Sequence, residues 1–438
     1  MPASPSEPAN LAFRSRRVVT PAGELSATVV VRGGSIAAID PYDDPPTAST
    51  VRELGDIAIL PGLVDTHVHL NEPGRTDWEG FATGTAAAAA GGVTTLVDMP
   101  LNSSPVTTSV DALEAKRRAA AGQLSVDVGF YAGLVAGSAS ELPGLLDAGV
   151  LGVKAFLCHS GIDEFPAATE SDLRAAMPVI AERGSVLLAH AEIESPVEPP
   201  DDPRSYQQYA ATRPGRFERA AIELLIGLCR EYGCRTHIVH LADAACLPLL
   251  QEAKEEGLPL TVETCPHYLA FAAEEIPDGA TQFKCAPPIR HAANRDALWG
   301  GLASGVIDFV ASDHSPCPPE LKQQASGDFE EAWGGVSSLQ LMLPVVWTEA
   351  AARGFSLSDV VRWLCDRPAE LVGLPAGLRE GADANLVLLD PEATFTVRGA
   401  DLLHRHPLTP YEGRELRGQV LKTLLRGAPA QAGRGRLL

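Results

Sequence analysis

The residues of this chain best suited to chemistry are four histidines, a lysine and an aspartate: His67, His69, Lys154, His190, His240 and Asp313. Side chains alternate faces along a β-strand, so His67 and His69, two apart, point the same way and can grip one cation together. Alone, such a pair is more often two ordinary half-buried histidines; the company of further ligand types changes the reading. Four imidazoles and a carboxylate suit a borderline divalent ion such as zinc, and they are too many for one catalytic centre that must keep a position for water. Two metals are the natural expectation.

Lys154 is the odd member. Alone it reads as a snorkelling or salt-bridged lysine. Beside two dications its ammonium would be repelled and must lose its proton, and a neutral amine can react with carbon dioxide. The resulting carbamate is a two-oxygen anion able to bridge both ions. With Asp313 and a bridging hydroxide it brings the centre close to neutral. Two metals flanking one water lower its pKa and polarise a carbonyl, so the expected reaction is hydrolysis of an unactivated amide or ester. Asp313 acts as base and then acid, taking a proton as attack begins and returning it to the leaving nitrogen.

These side chains need elements to hold them. Strand-like runs recur at 60–69, 94–99, 126–132, 152–157, 185–190, 236–240, 260–265 and 307–313, with helical segments between them, the first starting at Phe81. Eight βα units are the count of a TIM-like (β/α)8 barrel. A doubly wound sheet shares that α/β pattern. The six residues, however, fall at or near the C-terminal ends of strands, where barrel enzymes build their sites. Before and after the barrel, short strands at 11–40, a proline-rich turn at 41–46, and strands at 384–390, 393–397 and 419–427 predict a small β-sandwich domain formed by both chain termini. The expected division is 1–58 and 376–438 for the small domain and 59–375 for the barrel.

A formal net charge of −21 over 438 residues lacks the basic footprint that nucleic acid or an anionic membrane surface requires. The start, MPASPSEPANLAFRS, has no apolar signal core, and no stretch approaches the roughly 20 apolar residues of a membrane span. The expectation is a cytoplasmic enzyme of a small-molecule substrate, its eight cysteines reduced and without Cys-x-x-Cys spacing.

The motifs DTHVHLNEPGR (65–75), GGVTTLVDMPLNS (91–103), GVKAFL (152–157), ETCPHYL (263–269), KCAPPIR (284–290) and SDHSP (312–316) together resemble the cyclic amidohydrolases of the amidohydrolase superfamily, most closely the allantoinase branch. The resemblance runs from about residue 11 to 427. It implies a distorted TIM barrel with a small β-domain, and a binuclear zinc site ligated by His67, His69, His190, His240 and Asp313 and bridged by carboxylated Lys154. It also implies a homotetramer. The reaction of that branch is opening of allantoin's hydantoin ring to allantoate, a step of purine catabolism.

Dihydroorotases typically carry Arg where this chain has Asn71, and an amide suits a neutral ureido group better because it both donates and accepts. Asn102 could hold the ureido tail or merely a turn, and Ala286 could offer only backbone groups to a ring amide. Arg75 and Arg290 leave a carboxylate partner open. The stretches LCHSGIDEFP (157–166), SPCPPELK (315–322) and WGGVSSLQ (333–340) look like the allantoinase branch rather than hydantoinases. Hydantoinase or dihydropyrimidinase, dihydroorotase, and a metal-free binding homologue are the alternatives. Among other histidines, His237 is expected to pack, His267 and His314 to support the site or touch substrate, His159 to belong to a loop, and His291, His404 and His406 to be structural or exposed. The acidic, Pro-rich stretch 194–203 is a candidate lid.

Overall fold

The apolar run from Ile57 to Val64 does not form one strand. In the computed structural model, which describes residues 11–45 and 48–438, Ala58–Pro61 belongs to a sheet built by the chain ends, and a separate strand, Leu63–Val68, opens a barrel. The expected single strand over 60–69 is corrected accordingly. Gly62 makes the joint. Its N–H donates to Asn385 O at 2.8 Å, and a Cβ there would lie 2.2 Å from Thr94 Oγ1, so no larger residue fits. The N-terminal segment MPASPSEPAN and position 46 of the proline-rich turn lie outside the described residues.

Counting barrel strands only, β1 is Leu63–Val68, β2 Val93–Asp98, β3 Asp127–Phe130, β4 Val153–Phe156, β5 Val186–His190, β6 Arg235–Ile238, β7 Leu260–Thr264 and β8 Phe309–Val310. Each overlaps a run marked in the sequence. From β1 to β3 and from β4 to β8 neighbours pair in parallel. After Tyr131, β3 continues as Ala132–Leu134, which pairs with β4. The ring closes beyond the short β8, where His314 bridges to Val68 and accepts from His69 N–H at 2.8 Å. The strands are buried on both faces, which is why they read as apolar runs.

Helices cover the outside. Phe81–Ala90 is mostly alanine, with a glycine and two threonines, and its small side chains allow a close approach: a Cβ on Gly84 would sit 2.4 Å from Leu70 Cδ2. The long helix Arg216–Tyr232 buries Phe217, Ala221, Leu225 and Leu228 at helical spacing and stops at left-handed Gly233. Chain ends meet in one eight-stranded sheet, where Leu386–Thr396 pairs antiparallel with Ala58–Pro61. That sheet has its own apolar core of Phe13, Val18, Val29, Ile36, Ile59, Leu386, Leu388 and Leu424. The two strands expected over 384–390 and 393–397 are one, interrupted by a register irregularity between Asp390 and Thr394.

Candidate metal centre

Barrel topology brings the ends of β1, β4, β5, β6 and β8 together, and with them the residues singled out in the sequence. His67 Nε2 and His69 Nε2 lie 3.2 and 3.4 Å from Asp313 Oδ1. The His67 ring is 5.6 Å from that of His69 and 5.5 Å from that of His240, and His190 meets His240 edge-on at 4.6 Å. Lys154, fully buried, keeps its Nζ 5.0 Å from the centre of the Phe156 ring, and His190 stacks on that ring at 4.4 Å.

Local backbone is bent to achieve this. His240 and Asp313 both adopt left-handed conformations, with φ of 39° and 43°, two and three residues beyond the ends of their strands. A non-glycine residue pays conformational strain there, and such strain concentrates at functional sites. Asn71 and Asn102 do the same, each with φ of 63°.

Charge states follow from burial and neighbours. Burial lowers the pKa of His69, His190 and, most strongly, His240, which favours the neutral imidazole that metal ligation uses. Burial would raise Asp313, but His67, His69 and His240 outweigh it and hold the carboxylate ionised far below its usual range. Burial pulls Lys154 down to about 8 despite Glu263 and Asp313. Its Nζ has no hydrogen-bond partner among the described residues, nor has His240 Nδ1. Neutral imidazoles, one carboxylate and an unpartnered amine of lowered basicity are a donor set that fits divalent metal.

Two carboxylates missed in the sequence complete the centre. Glu263, fully buried at the end of β7, binds His67 Nδ1 at 2.5 Å and accepts from His240 N–H at 3.3 Å. His237 faces away from the cavity, as expected of a packing histidine, and braces Glu263 Oε2 at 3.1 Å. Burial opposes its ionisation, yet His67 and His237 hold it at about 2. Glu192 lies 2.7 Å from His190 Nε2 and 2.5 Å from Arg213 Nη2. Both fix ring orientation from outside the ligand set, which sharpens a metal site. A signal was available for each: Glu263 is a lone charge in an apolar strand, and Glu192 follows His190 by two residues.

A cavity of about 620 Å³ opens over the centre, lined by His67, His69, His190, His240 and Asp313, and by Asn102, Ala286, Arg213, Lys284 and Trp333. Glu194, Ser195 and Val197, from the candidate lid, also border it. Asn102 Nδ2 approaches His69 Nδ1 at 3.4 Å, so it steadies a ligand candidate as well as facing the cavity. Asn71 has a left-handed backbone, and its Nδ2 donates to Pro316 O at 3.4 Å. Arg75 and Arg290 are engaged by Glu164 and Glu218. His314 is a seam residue, holding Glu79 at 3.2 Å and accepting from Ser338 N–H. His267 is buried beside Cys265 and Asp313 without a hydrogen-bond partner among the described residues. His159 and His291 are exposed, and His404 is buried against His314. All eight cysteines are unpaired.

The amidohydrolase family model matches residues 58–429. An allantoinase of Streptomyces avermitilis is 50% identical over 422 residues, covering 95% of this chain and 94% of that protein. An allantoinase of Arabidopsis thaliana is 48% identical, covering 94% of this chain and 86% of that protein. Among solved structures, an L-hydantoinase (dihydropyrimidinase) from Arthrobacter aurescens superposes with a TM-score of 0.90 at 29% identity, covering 98% of this chain and 99% of that one.

Proposed function

The chain belongs to the amidohydrolase family, and we propose that it is an allantoinase, opening the hydantoin ring of allantoin by hydrolysis to give allantoate. The observation that carries this reading is the convergence of His67, His69, His190, His240, Asp313 and Lys154 on one cavity end, in a chain about half identical to allantoinases along nearly its whole length.

We assign His67, His69, His190, His240 and Asp313 as the residues that would hold two divalent ions, zinc in the first instance, with Lys154 contributing to their binding if carboxylated to its carbamate. Such ions, when bound, polarise the scissile carbonyl and lower the pKa of water. The chain's own residues do the rest. Asp313 Oδ accepts a proton from the attacking water, and the same oxygen returns it to the ring nitrogen as the C–N bond breaks. Glu263 and Glu192 hold His67 and His190 in position. Ala286 backbone and Asn102 are assigned to the substrate, and Asn71 to the turn that presents His69. We further propose a cytoplasmic homotetramer, with the terminal sheet as a separate small domain; no described helix is long and apolar enough to cross a membrane.

The test supplies metal and bicarbonate during purification, then offers allantoin, hydantoin, dihydrouracil and dihydroorotate separately. Ring opening is followed by mass, with a chelated control. Allantoin is expected to open fastest and chelation to stop it. Faster opening of another ring would transfer the site to that substrate.

A further inference from the structure

Beyond the end of β1, the two amides that follow Val68 are taken up by different neighbours. His69 N–H donates to His314 O at 2.8 Å on the β8 side, and Leu70 N–H donates at 2.7 Å to a side chain, Asp98 Oδ1, at the end of β2. The β1–β2 ladder runs as far as Val68, which pairs with Asp98 and accepts from Met99 N–H at 2.8 Å. In a continued parallel ladder the next bond would run from Leu70 N–H to Met99 O. That carbonyl is occupied by Lys116 Nζ at 2.9 Å, and the Asp98 carboxylate supplies the missing rung.

Asp98 is itself held. Its second oxygen, Oδ2, lies 2.6 Å from Lys116 Nζ, which comes from the helix Val110–Ala120 and sits 5.8 Å from the centre of the Phe130 ring. Both side chains of the pair are only 1% exposed. Taking two charges out of water costs about as much as their attraction gives back, and apolar residues of similar volume commonly serve stability as well. What the pair does supply is direction. A carboxylate with one oxygen fastened by an ammonium presents the other at a fixed place. The amide it meets belongs to the residue after His69, just before the left-handed backbone of Asn71.

We infer that Asp98, fastened by Lys116, is a positioning residue for the metal centre: it replaces the lost rung beyond β1 and sets the direction from which His69 meets the ion it shares with His67. This rests on the reading of His67 and His69 as ligands of one ion. The Leu70 N–H needs an oxygen at that place, not a charge. Lys116→Met combined with Asp98→Asn removes both charges and keeps an amide oxygen for Leu70 N–H. Lys116→Met combined with Asp98→Leu removes both charges and the oxygen at similar volume.

The experiment measures zinc affinity by competition with a chelator, and the visible spectrum of the cobalt-loaded protein, for both double variants and the unaltered chain, with urea unfolding of each metal-free form. The asparagine form is expected to bind both ions, and to give the cobalt spectrum, as the unaltered chain does. The leucine form is expected to lose about 10–100-fold in affinity for one ion, with the other weakened far less and the spectrum altered. Equal weakening of both ions in the leucine form, the same loss in both forms, or a shifted urea midpoint with unchanged metal binding overturns the inference. Should the leucine form not fold, Lys116→Met with Asp98→Ser, whose oxygen is too short to reach Leu70 N–H, takes its place. An unaltered chain that binds no divalent ion would instead sink the metal-centre reading, and the inference with it.

Discussion

In the terminal sheet, Val18, Ile59 and Leu386 are fully buried against one another, and a buried polar group such as Ser15 Oγ finds Ile57 O at 2.6 Å. At the C-terminal end of the barrel, Lys154 Nζ and His240 Nδ1 are just as buried and have no such partners, while His240 and Asp313 bend their backbones into left-handed conformations. The sheet departs from local rules at scattered points, with Thr423 Oγ1 buried without a partner among the described residues and Arg426 at a φ of 50°. The barrel mouth breaks those rules together, in one place, among metal-ligand residue types. Violations that cluster are the expense of a preorganised site, whereas agreement elsewhere supplies the stability that tolerates them.

Substitutions should separate the two regions. The largest effect short of losing a bridge is expected from Asp313→Asn, which leaves no basic oxygen to carry the proton. Turnover should fall by about 10²–10⁴-fold, read as kcat for allantoin with metal content checked. If kcat holds, the proton carrier is another group. Glu263→Gln should cost about 10–100-fold in metal affinity or activity, measured by competition with a chelator, because His67 loses its charged brace.

The sheet should behave in the opposite way. Ile59→Ala should lower unfolding free energy by about 2–5 kcal/mol in urea titration and leave kcat of the metal-saturated enzyme unchanged. A parallel loss of kcat would show that the sheet and the site are not separable.

The smallest effect is one of pH. Burial alone would raise the Glu192 pKa, but His190 and Arg213 outweigh it and hold the carboxyl at about 2, below the 4.5 of an unperturbed group. The unfolded chain therefore binds the proton first. The stabilisation is whole above pH 4.5 and drains away as pH falls toward 2. The stability of the metal-free protein should thus fall more steeply over that window than that of Glu192→Gln, and equal slopes would refute the pairing.

Much of this was legible in the sequence because strand ends and ligand residue types are local signals. The eight barrel runs, His67-x-His69 and the lone Lys154 in GVKAFL are of that kind. The joint at Gly62 was hidden, because an apolar run continues unbroken across a change of sheet. Barrel closure was hidden too, since β8 is two residues long and the seam is made by His314 from the following loop. The left-handed φ of 63° at Asn71 is likewise nothing that strand alternation can foresee.

The proposed metal-binding role of Lys154 is the one most open to direct trial. Its most direct test is the metal stoichiometry and allantoin turnover of Lys154→Ala beside the unaltered enzyme, each prepared with zinc and bicarbonate. The expected result is two ions and ring opening in the unaltered enzyme, with both lost in the variant and partly restored by a small carboxylic acid. A Lys154→Ala protein that keeps two ions and full turnover would contradict it.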